Sequence, residues 1–221
     1  KALEYFNLAI DSDPNNTLYL RNRGVLYIDY LNETEKALSD FNKAIEIEPN
    51  AINYWYRAKY YYEIKGEYKN ALIDYNKARE IDPDDEVVIF DLAYTYAELE
   101  EYENSLKTYN EYLEKFGNDS DALHNVALIY KNSKNNYQKA LEYFNLAIES
   151  DPNATLYLRN RGVLYIDYLN ETEKALSDFN KAIEIEPNAI NDFYRAGFYY
   201  QKIENYELAL QDLKKSLEYN R

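Results

Sequence analysis

Small and aromatic side chains recur along the chain with a regular spacing. In each copy a small residue is followed four residues later by an aromatic one and, in most copies, by a second small residue three positions further on. These intervals place the three side chains on one face of an α-helix, where small residues let a neighbouring helix come close and the ring fills the gap. Twelve residues after the first small residue comes a turn position: Pro14, Pro49, Pro83, Gly117, Pro152 and Pro187.

The turn positions lie 34 or 35 residues apart, and since proline cannot continue a helix interior they predict a repeat of two helices. A tyrosine recurs in each first helix: Tyr27, Tyr62, Tyr96, Tyr130, Tyr165 and Tyr200. From this tyrosine to the small residue of the second helix there are ten residues in three repeats and nine in the others. We therefore expect the extra residue in the turn within the repeat, around residues 32–33, 135–136 and 170–171.

These spacings predict one continuous array over residues 1–221. Residues 1–14 form the second helix of a truncated repeat, and six helix–turn–helix repeats follow at 15–49, 50–83, 84–117, 118–152, 153–187 and 188–221. Residues 1–58 recur at 139–196 with four changes, which indicates a natural or an engineered duplication. Because the chain begins inside a second helix and ends in a leucine-rich one, we expect the full array to be longer and the true N-terminus to be missing.

One repeat carries nearly the whole signature of a known family: Trp55, Tyr62, Gly66, Tyr68, Ala71, Tyr75, Ala78 and Pro83. With this pattern in phase over six repeats, the chain resembles the tetratricopeptide repeat family. The resemblance implies an all-α fold, a right-handed superhelical solenoid of antiparallel helix pairs whose first helices line the concave side. It also implies that Lys59 occupies a position that other repeats give to small residues: Gly24, Ala93, Ala127, Gly162 and Gly197.

The charge balance narrows the choice of partners. Forty acidic against twenty-five basic residues give a net charge of −15, which argues against nucleic acid, since a phosphate backbone needs a basic surface. No apolar run reaches the ~20 residues of a membrane-spanning helix, so we expect no membrane insertion. Because the chain has no cysteine and a single histidine, we predict no catalytic residue, no metal ligand and no cofactor. Localisation is left open, with the cytoplasm as the default.

Groove residues are predicted by counting back from the recurring tyrosine. If the first helices line the concave side, as the resemblance implies, side chains two, five and six positions before the tyrosine face the groove or its edge. An aromatic stretch there would either bind apolar groups of a ligand or pack between repeats. The residues predicted to line the groove are Arg21, Asn22, Asn53, Tyr56, Arg57, Tyr60, Phe90, Asp91, Tyr94, His124, Asn125, Arg159, Asn160, Asn191, Tyr194, Arg195 and Phe198.

A terminal carboxylate is one ligand that the resemblance suggests. Some tetratricopeptide co-chaperones hold a peptide's C-terminus with five Lys, Asn and Arg side chains. Asn22 and Arg57 match two of those positions, as do their copies Asn160 and Arg195, whereas the second lysine is replaced by an asparagine, Asn53 or Asn191. Carboxylate recognition and binding through the aromatic surface both stay open.

The sequence as a whole predicts a non-enzymatic scaffold that holds a peptide or a helical segment of a partner protein in its groove. The alternative is a structural spacer, or a self-assembling array that stacks end to end through exposed terminal helices.

Overall fold

The computed structural model describes residues 1–219, and within this range every regular element is a helix. The last two residues of the predicted repeat 188–221 lie outside the described residues. Helices α4, α10 and α12 continue directly into a wider π-helical turn, at Tyr60–Lys65, Tyr165–Leu169 and Tyr199–Ile203. The helices are α1 (Ala2–Ser12), α2 (Thr17–Asp29), α3 (Thr34–Ile47), α4 (Ala51–Lys59), α5 (Tyr68–Ile81), α6 (Glu86–Glu98), α7 (Tyr102–Phe116), α8 (Ser120–Asn132), α9 (Tyr137–Ser150), α10 (Thr155–Leu164), α11 (Thr172–Ile185), α12 (Ala189–Phe198) and α13 (Tyr206–Glu218).

The chain divides into two compact units, Lys1–Tyr112 and the part from Leu113 onward. In each unit a first helix packs against the second helix that follows it, as α2 does on α3, α4 on α5 and α10 on α11. The second helix also contacts the first helix of the next repeat, as α3 does α4 and α11 does α12. This alternation is typical of a helical repeat array.

The second helices contribute the small and aromatic residues that the sequence pattern singled out. Their rings are buried at Phe41, Tyr75, Tyr109, Phe144 and Phe179. The small residues four positions earlier have no exposed surface: Ala37, Ala71, Ser105, Ala140 and Ala175. The helical interpretation of these spacings is therefore confirmed, because only a helix brings both positions to the same buried face.

Each first helix is followed by a residue with a left-handed backbone, such as Gly66 with a φ of 63°. Glycine adopts this conformation without a steric penalty. The residue stands five positions before the buried small residue of the second helix in every repeat: Asn32, Gly66, Glu100, Asn135, Asn170 and Glu204. Because this distance is constant, any difference in the length of this turn lies before the left-handed residue.

The differences in spacing between repeats have two origins. In the second and sixth repeats the capping residue, Asn50 or Asn188, directly follows the proline, whereas elsewhere one more residue intervenes. In the third repeat the amide of Glu101 donates to the carbonyl of Tyr96, five residues back. The corresponding amides of the other repeats donate to a carbonyl six residues back. Helices α2, α6 and α8 all have 13 residues, but three residues separate α6 from the next helix and four separate α2 and α8 from theirs. The extra residue predicted for the turns after α2 and α8 is therefore present relative to the third repeat, whereas relative to the second and sixth repeats the prediction is wrong.

Counting from the capping residue brings all six first helices into register. In each repeat the amide of the residue after the left-handed one donates to a tyrosine carbonyl. These tyrosines are Tyr27, Tyr61, Tyr96, Tyr130, Tyr165 and Tyr199. Tyr62 and Tyr200 are therefore one position away from the true repeat tyrosine. The small position is then filled by Ala58 in the second repeat, where it is fully buried, and by Ala196 in the sixth. The prediction that Lys59 and Gly197 occupy it is wrong.

Two glycines of the second unit test this register. A Cβ atom at Gly162 would lie 2.8 Å from the ring of Phe179, whereas nothing lies within 4 Å of a Cβ atom at Gly197. We expect Gly162→Ala to lower the free energy of unfolding by about 1–3 kcal/mol through overpacking. Gly197→Ala should raise it by about 0.5–1 kcal/mol, since alanine is the better helix former. Urea unfolding of both variants measures these changes in the free energy of unfolding. A loss of stability in Gly197→Ala would instead support the register counted from Tyr200.

Candidate functional site

Four arginines of the first helices form ion pairs with an aspartate of the second helix in the same repeat. Arg57 donates from Nε and Nη2 to the carboxylate of Asp74 at 2.7 and 2.8 Å, and from Nη1 to Asn42 at 2.8 Å. Asp74 is buried, and its hydrogen bonds raise the pKa of Arg57. Such bidentate pairs hold a defined geometry, here between the two helices of a repeat. The same arrangement occurs in Arg23–Asp40, Arg57–Asp74, Arg161–Asp178 and Arg195–Asp212.

A second buried network joins consecutive repeats. Arg21 donates to Thr17 at 3.2 Å and to the side-chain oxygen of Asn53 at 2.6 Å. Asn53 in turn donates to the backbone carbonyls of Ala44 and Glu48 at 3.2 and 2.7 Å. Burial lowers the pKa of Arg21.

The duplicated segment repeats this network. Arg159 donates to Thr155 at 3.0 Å and to Asn191 at 2.6 Å, and Asn191 donates to the backbone carbonyls of Ala182 and Glu186. The structure thus places Arg21, Asn53, Arg159 and Asn191, all predicted as groove residues, in contacts between repeats.

The first unit has two adjoining pockets on the face formed by α2, α4 and α6. One pocket, of about 310 Å³, lies between α4 and α6, and we call it the Asp91 pocket. The other, of about 260 Å³, lies between α2 and α4, and we call it the Val25 pocket. The Asp91 pocket is lined by Trp55, Lys59, Tyr62, Glu63, Tyr75, Val87, Phe90, Asp91, Tyr94 and Thr95. The Val25 pocket is lined by Val25, Ile28, Asp29, Phe41, Trp55, Tyr56, Lys59, Tyr60, Glu63 and Ile64.

Three residues, Trp55, Lys59 and Glu63, border both pockets and separate them. The indole N–H of Trp55 donates to Oδ2 of Asp91 at 2.7 Å. The ammonium of Lys59 lies 5.2 Å from the centre of the Trp55 ring and 3.5 Å from a carboxylate oxygen of Glu63. Burial raises the pKa of Asp91, an effect that the hydrogen bond from Trp55 partly offsets.

The predicted groove residues of the first unit fall into two groups. Five of them line the pockets: Tyr56, Tyr60, Phe90, Asp91 and Tyr94. The other four do not: Arg21, Asn22, Asn53 and Arg57.

Sequence reasoning missed Lys59, Tyr62 and Glu63 as lining residues. The count from Tyr62 assigned a scaffold role to that tyrosine and put Lys59 in the place of a buried small residue. A count from the cap residue Asn50, whose side chain accepts from the amide of Asn53 at 2.9 Å, places Trp55 and Lys59 at groove positions. Tyr62 and Glu63 lie beyond the positions that the count covers. Trp55 was noted as part of the repeat signature and not as a pocket wall.

The second unit uses the corresponding positions differently. Nε2 of His124 lies 2.7 Å from the side-chain nitrogen of Asn160, and its ring centre lies 4.9 Å from that of Tyr157. The side chain of Asn125 is a further hydrogen-bond partner of this imidazole. His124 is buried, so this predicted groove residue packs within the array.

The sixth repeat replaces the polar features of the pockets. Phe193 and Gly197 stand where the first unit has Trp55 and Lys59. Phe198 is buried with its ring centre 6.0 Å from that of Phe179, and the guanidinium of Arg159 lies 5.5 Å from the ring centre of Tyr194. These two contacts match Tyr60 with Phe41 and Arg21 with Tyr56 in the first unit. The hydrogen bond from Trp55 and the contacts of Lys59 have no counterpart, because Phe193 and Gly197 replace these residues.

Membrane-spanning helices and clusters of metal ligands are both absent from residues 1–219. None of the helices in residues 1–219 combines the length and the apolar character needed to cross a membrane. In the same part of the chain, no group of three or more His, Asp or Glu side chains is arranged to hold a metal ion.

The fold is that of a helical-repeat protein, with two adjoining pockets on the first helices of its first unit. The tetratricopeptide repeat family model matches residues 22–51, 52–85, 120–154 and 160–189, more than half of the chain. The chain belongs to the tetratricopeptide repeat family. The predicted family and the all-α array of helix pairs are thereby confirmed, and the general role of this family is that of a protein-interaction scaffold.

Solved structures share the fold. YrrB, described as a tetratricopeptide repeat protein with an unusual peptide-binding site, is 26% identical over 96% of this chain and 99% of its own, with a TM-score of 0.64. A tetratricopeptide repeat protein from Parabacteroides merdae ATCC 43184 is 23% identical over 99% of this chain and 86% of its own, with a TM-score of 0.77. A chain of the APC/C hetero-tetramer Cut9–Hcn1 is 19% identical over 99% of this chain and 42% of its own, with a TM-score of 0.73. None of the curated protein sequences matches the chain.

The buried imidazole makes stability depend on pH. Desolvation lowers the pKa of His124 to about 4 from an ordinary value of 6.5. As the pH falls from 6.5 towards 4, the unfolded chain binds a proton that the folded chain excludes, so the free energy of unfolding decreases by roughly 1.4 kcal/mol per pH unit. Above pH 6.5 both the folded and the unfolded chain carry a neutral His124, and this loss of stability is absent.

Comparison with His124→Gln isolates this effect from the acidic residues. The difference in free energy of unfolding between wild type and variant should shrink steadily between pH 6.5 and 4, and urea unfolding at several pH values measures it. A difference that stays constant over this range would show that His124 is exposed or already charged.

Proposed function

We propose that the face of α2, α4 and α6 in the first unit binds an extended peptide of a partner protein. The observation that carries this proposal is the pair of adjoining pockets with Trp55 as the wall between them. Neighbouring packed helices lie ~8–10 Å apart and an extended chain advances ~3.3 Å per residue. Two anchor side chains about three residues apart can therefore enter the two pockets together.

An apolar strip beside the pockets supports the same function. Leu18, Ile52 and Val87 stand two residues after the cap of α2, α4 and α6, and they are 49%, 45% and 52% exposed. Exposed aliphatic side chains at matching positions of three successive helices add to the apolar surface available to a ligand. The peptide-binding site named for YrrB, a protein of similar fold and length, is consistent with this use of the fold.

We infer that side chains within the peptide, and not its terminal carboxylate, provide the main contacts. A carboxylate clamp would need arginine and asparagine groups free to donate. Arg57 and Arg195 donate instead to Asp74 and Asp212, and Asn160 lies against His124. Separating a buried aspartate from its arginine would cost more than a carboxylate ligand returns.

Trp55 is the only tryptophan of the chain and provides an intrinsic signal for binding. We would screen capped peptides by the change in its fluorescence and then compare wild type with Tyr94→Ala. Tyr94 is an exposed aromatic residue of the Asp91 pocket, and removing such a contact residue should weaken binding about tenfold or more.

Tyr30→Ala is the matched control, since Tyr30 is 79% exposed and lines neither pocket. It should leave the affinity unchanged. If both variants bind like wild type, or if no peptide alters the fluorescence, the proposed face is not the binding surface.

Self-association is a second candidate, and it rests on α1. Residues 1–12 repeat at 139–150 with a single change, so α1 and α9 carry the same side chains. In α9, Tyr143 and Leu146 pack against a buried core cluster. Their equivalents Tyr5 and Leu8 in α1 are 71% and 63% exposed. We propose that a second copy of the chain covers this face, together with the exposed Leu210 and Leu217 of α13.

Light scattering from the micromolar to the millimolar range tests self-association. We expect the average mass to rise with concentration in wild type and to stay at the monomer value in the double variant Leu8→Lys, Leu217→Lys. Ile73→Lys, at an exposed site of α5, is the control and should behave like wild type. A wild-type mass that stays monomeric throughout would exclude this candidate.

A further inference from the structure

We propose that the Asp91 pocket selects a basic side chain, lysine or arginine, from the bound peptide. This inference rests on the peptide binding proposed above and adds the chemistry of the ligand to it. The ligand group is then a cation, and not the terminal carboxylate that the resemblance suggested.

The charges that border the two pockets are mainly negative. Asp29, Glu63 and Asp91 contribute carboxylates, and Lys59 is the only basic residue among the lining residues, all of which belong to the described part of the chain. The arginines of the same helices are withdrawn from the surface. Arg23 and Arg57 are paired with Asp40 and Asp74. A ligand therefore meets a surface with an excess of acidic groups, on a chain with a net charge of −15, which attracts cations over a distance.

The walls of the Asp91 pocket are aromatic. Trp55, Tyr62, Phe90 and Tyr94 line it, and the ring centres of Tyr62 and Tyr94 are 5.8 Å apart. Aromatic faces attract an ammonium or a guanidinium group through the ring quadrupole. Lysine and arginine also carry a long apolar stem that packs along such walls while the charged end reaches a polar group. The shape and the chemistry of the pocket match both parts of these side chains.

Asp91 provides the polar group within the pocket. Its carboxylate accepts a hydrogen bond from the Trp55 indole, which is a neutral donor. Burial raises its pKa, which shows that the ionised form is poorly compensated in the free protein. A cationic side chain in the pocket would supply this compensation. A neutral or acidic one would not.

Lys59 acts as an internal competitor for the same surface. Its ammonium lies over the Trp55 ring and beside Glu63, so it occupies part of the region that attracts a ligand cation. Removing its charge should strengthen the binding of a basic peptide and weaken that of an acidic one. The opposite signs expected for Lys59 and Asp91 variants distinguish a charge effect from a general loss of packing.

The probes are capped, amidated nonapeptides with a Ser-Gly background, a leucine, and one variable position three residues away from it. Both orders of leucine and variable position are made, and the variable residue is lysine, norleucine or glutamate. Norleucine keeps the apolar stem and removes the charge. We expect lysine peptides to change Trp55 fluorescence with at least tenfold higher affinity than norleucine peptides, and glutamate peptides to bind least. The advantage of lysine should shrink between 50 mM and 500 mM salt, since exposed charges are screened.

Two variants and a control complete the test. Asp91→Asn keeps an oxygen that accepts from Trp55 and should reduce the preference for lysine over norleucine to about twofold or less. Lys59→Gln should raise the affinity for the lysine peptide about threefold to tenfold. Glu46→Gln, an exposed site on α3 outside both pockets, changes the net charge equally to Asp91→Asn and should have no effect.

The outcomes separate the two proposals. If norleucine peptides bind as well as lysine peptides, peptide binding stands and the basic preference is overturned. The same conclusion follows if Asp91→Asn and Glu46→Gln have equal effects. If none of the peptides changes Trp55 fluorescence at millimolar concentration, the proposed function itself fails, and the preference fails with it.

Discussion

The close contact between a small residue of each first helix and a buried ring of the second helix is the constraint on which the rest of the structure depends. At Gly24 the approach leaves no room for a Cβ atom beside Phe41, and at Ala58 a methyl group packs in one cluster with Tyr75. This contact fixes the rotation of the first helix about its own axis. Once that rotation is set, the residues one position further along the helix are directed elsewhere, and Lys59 reaches the pockets because Ala58 fills the contact.

The ion pairs determine which charges remain for a ligand. Each arginine of the Arg57–Asp74 type spans the two helices of its repeat with two short hydrogen bonds, and the partner carboxylate is buried. An ionised aspartate in that position needs its arginine. The basic groups of the first helices are therefore used inside the fold, whereas Glu63 and Asp91 remain at the surface of the pockets. Arginines that the sequence analysis placed in the groove are thus paired within the fold, and the pockets keep mainly acidic groups.

The periodicity of the sequence was sufficient to predict the helices, their pairing and the buried positions of the second helices. It was not sufficient to set the register of two first helices. Tyr61 and Tyr62 are adjacent, as are Tyr199 and Tyr200, and a count of tyrosines cannot tell which one belongs to the repeat. Which tyrosine belongs to the repeat is set by a hydrogen bond from the amide of Asn53 to the side chain of Asn50. The amide of Asn191 makes the same bond to Asn188. These bonds start the helix directly after the proline. For the same reason the spacing difference of the second and sixth repeats was assigned to the turn within the repeat, although it arises in the turn before the first helix.

The duplication shows which positions the fold leaves free to change. Segments 1–58 and 139–196 keep the same ion pairs and the same contacts between repeats, such as Arg21–Asn53 and Arg159–Asn191, both at 2.6 Å. Two of the four differences fall in the middle of α4. The pocket residue Trp55 becomes Phe193, and its neighbour Tyr54, which lines neither pocket, becomes Asp192. Asp192 is buried without a hydrogen-bond partner, and burial raises its pKa. One of its oxygens lies 4.0 Å from the guanidinium of Arg195, which is already paired with Asp212. The fold tolerates this carboxylate because residue 192 takes no part in the contact between the small residue and the ring. Binding surfaces can diverge between units of one array for this physical reason: the residues that hold the helices together and those that line the pockets occupy different faces of the same helix.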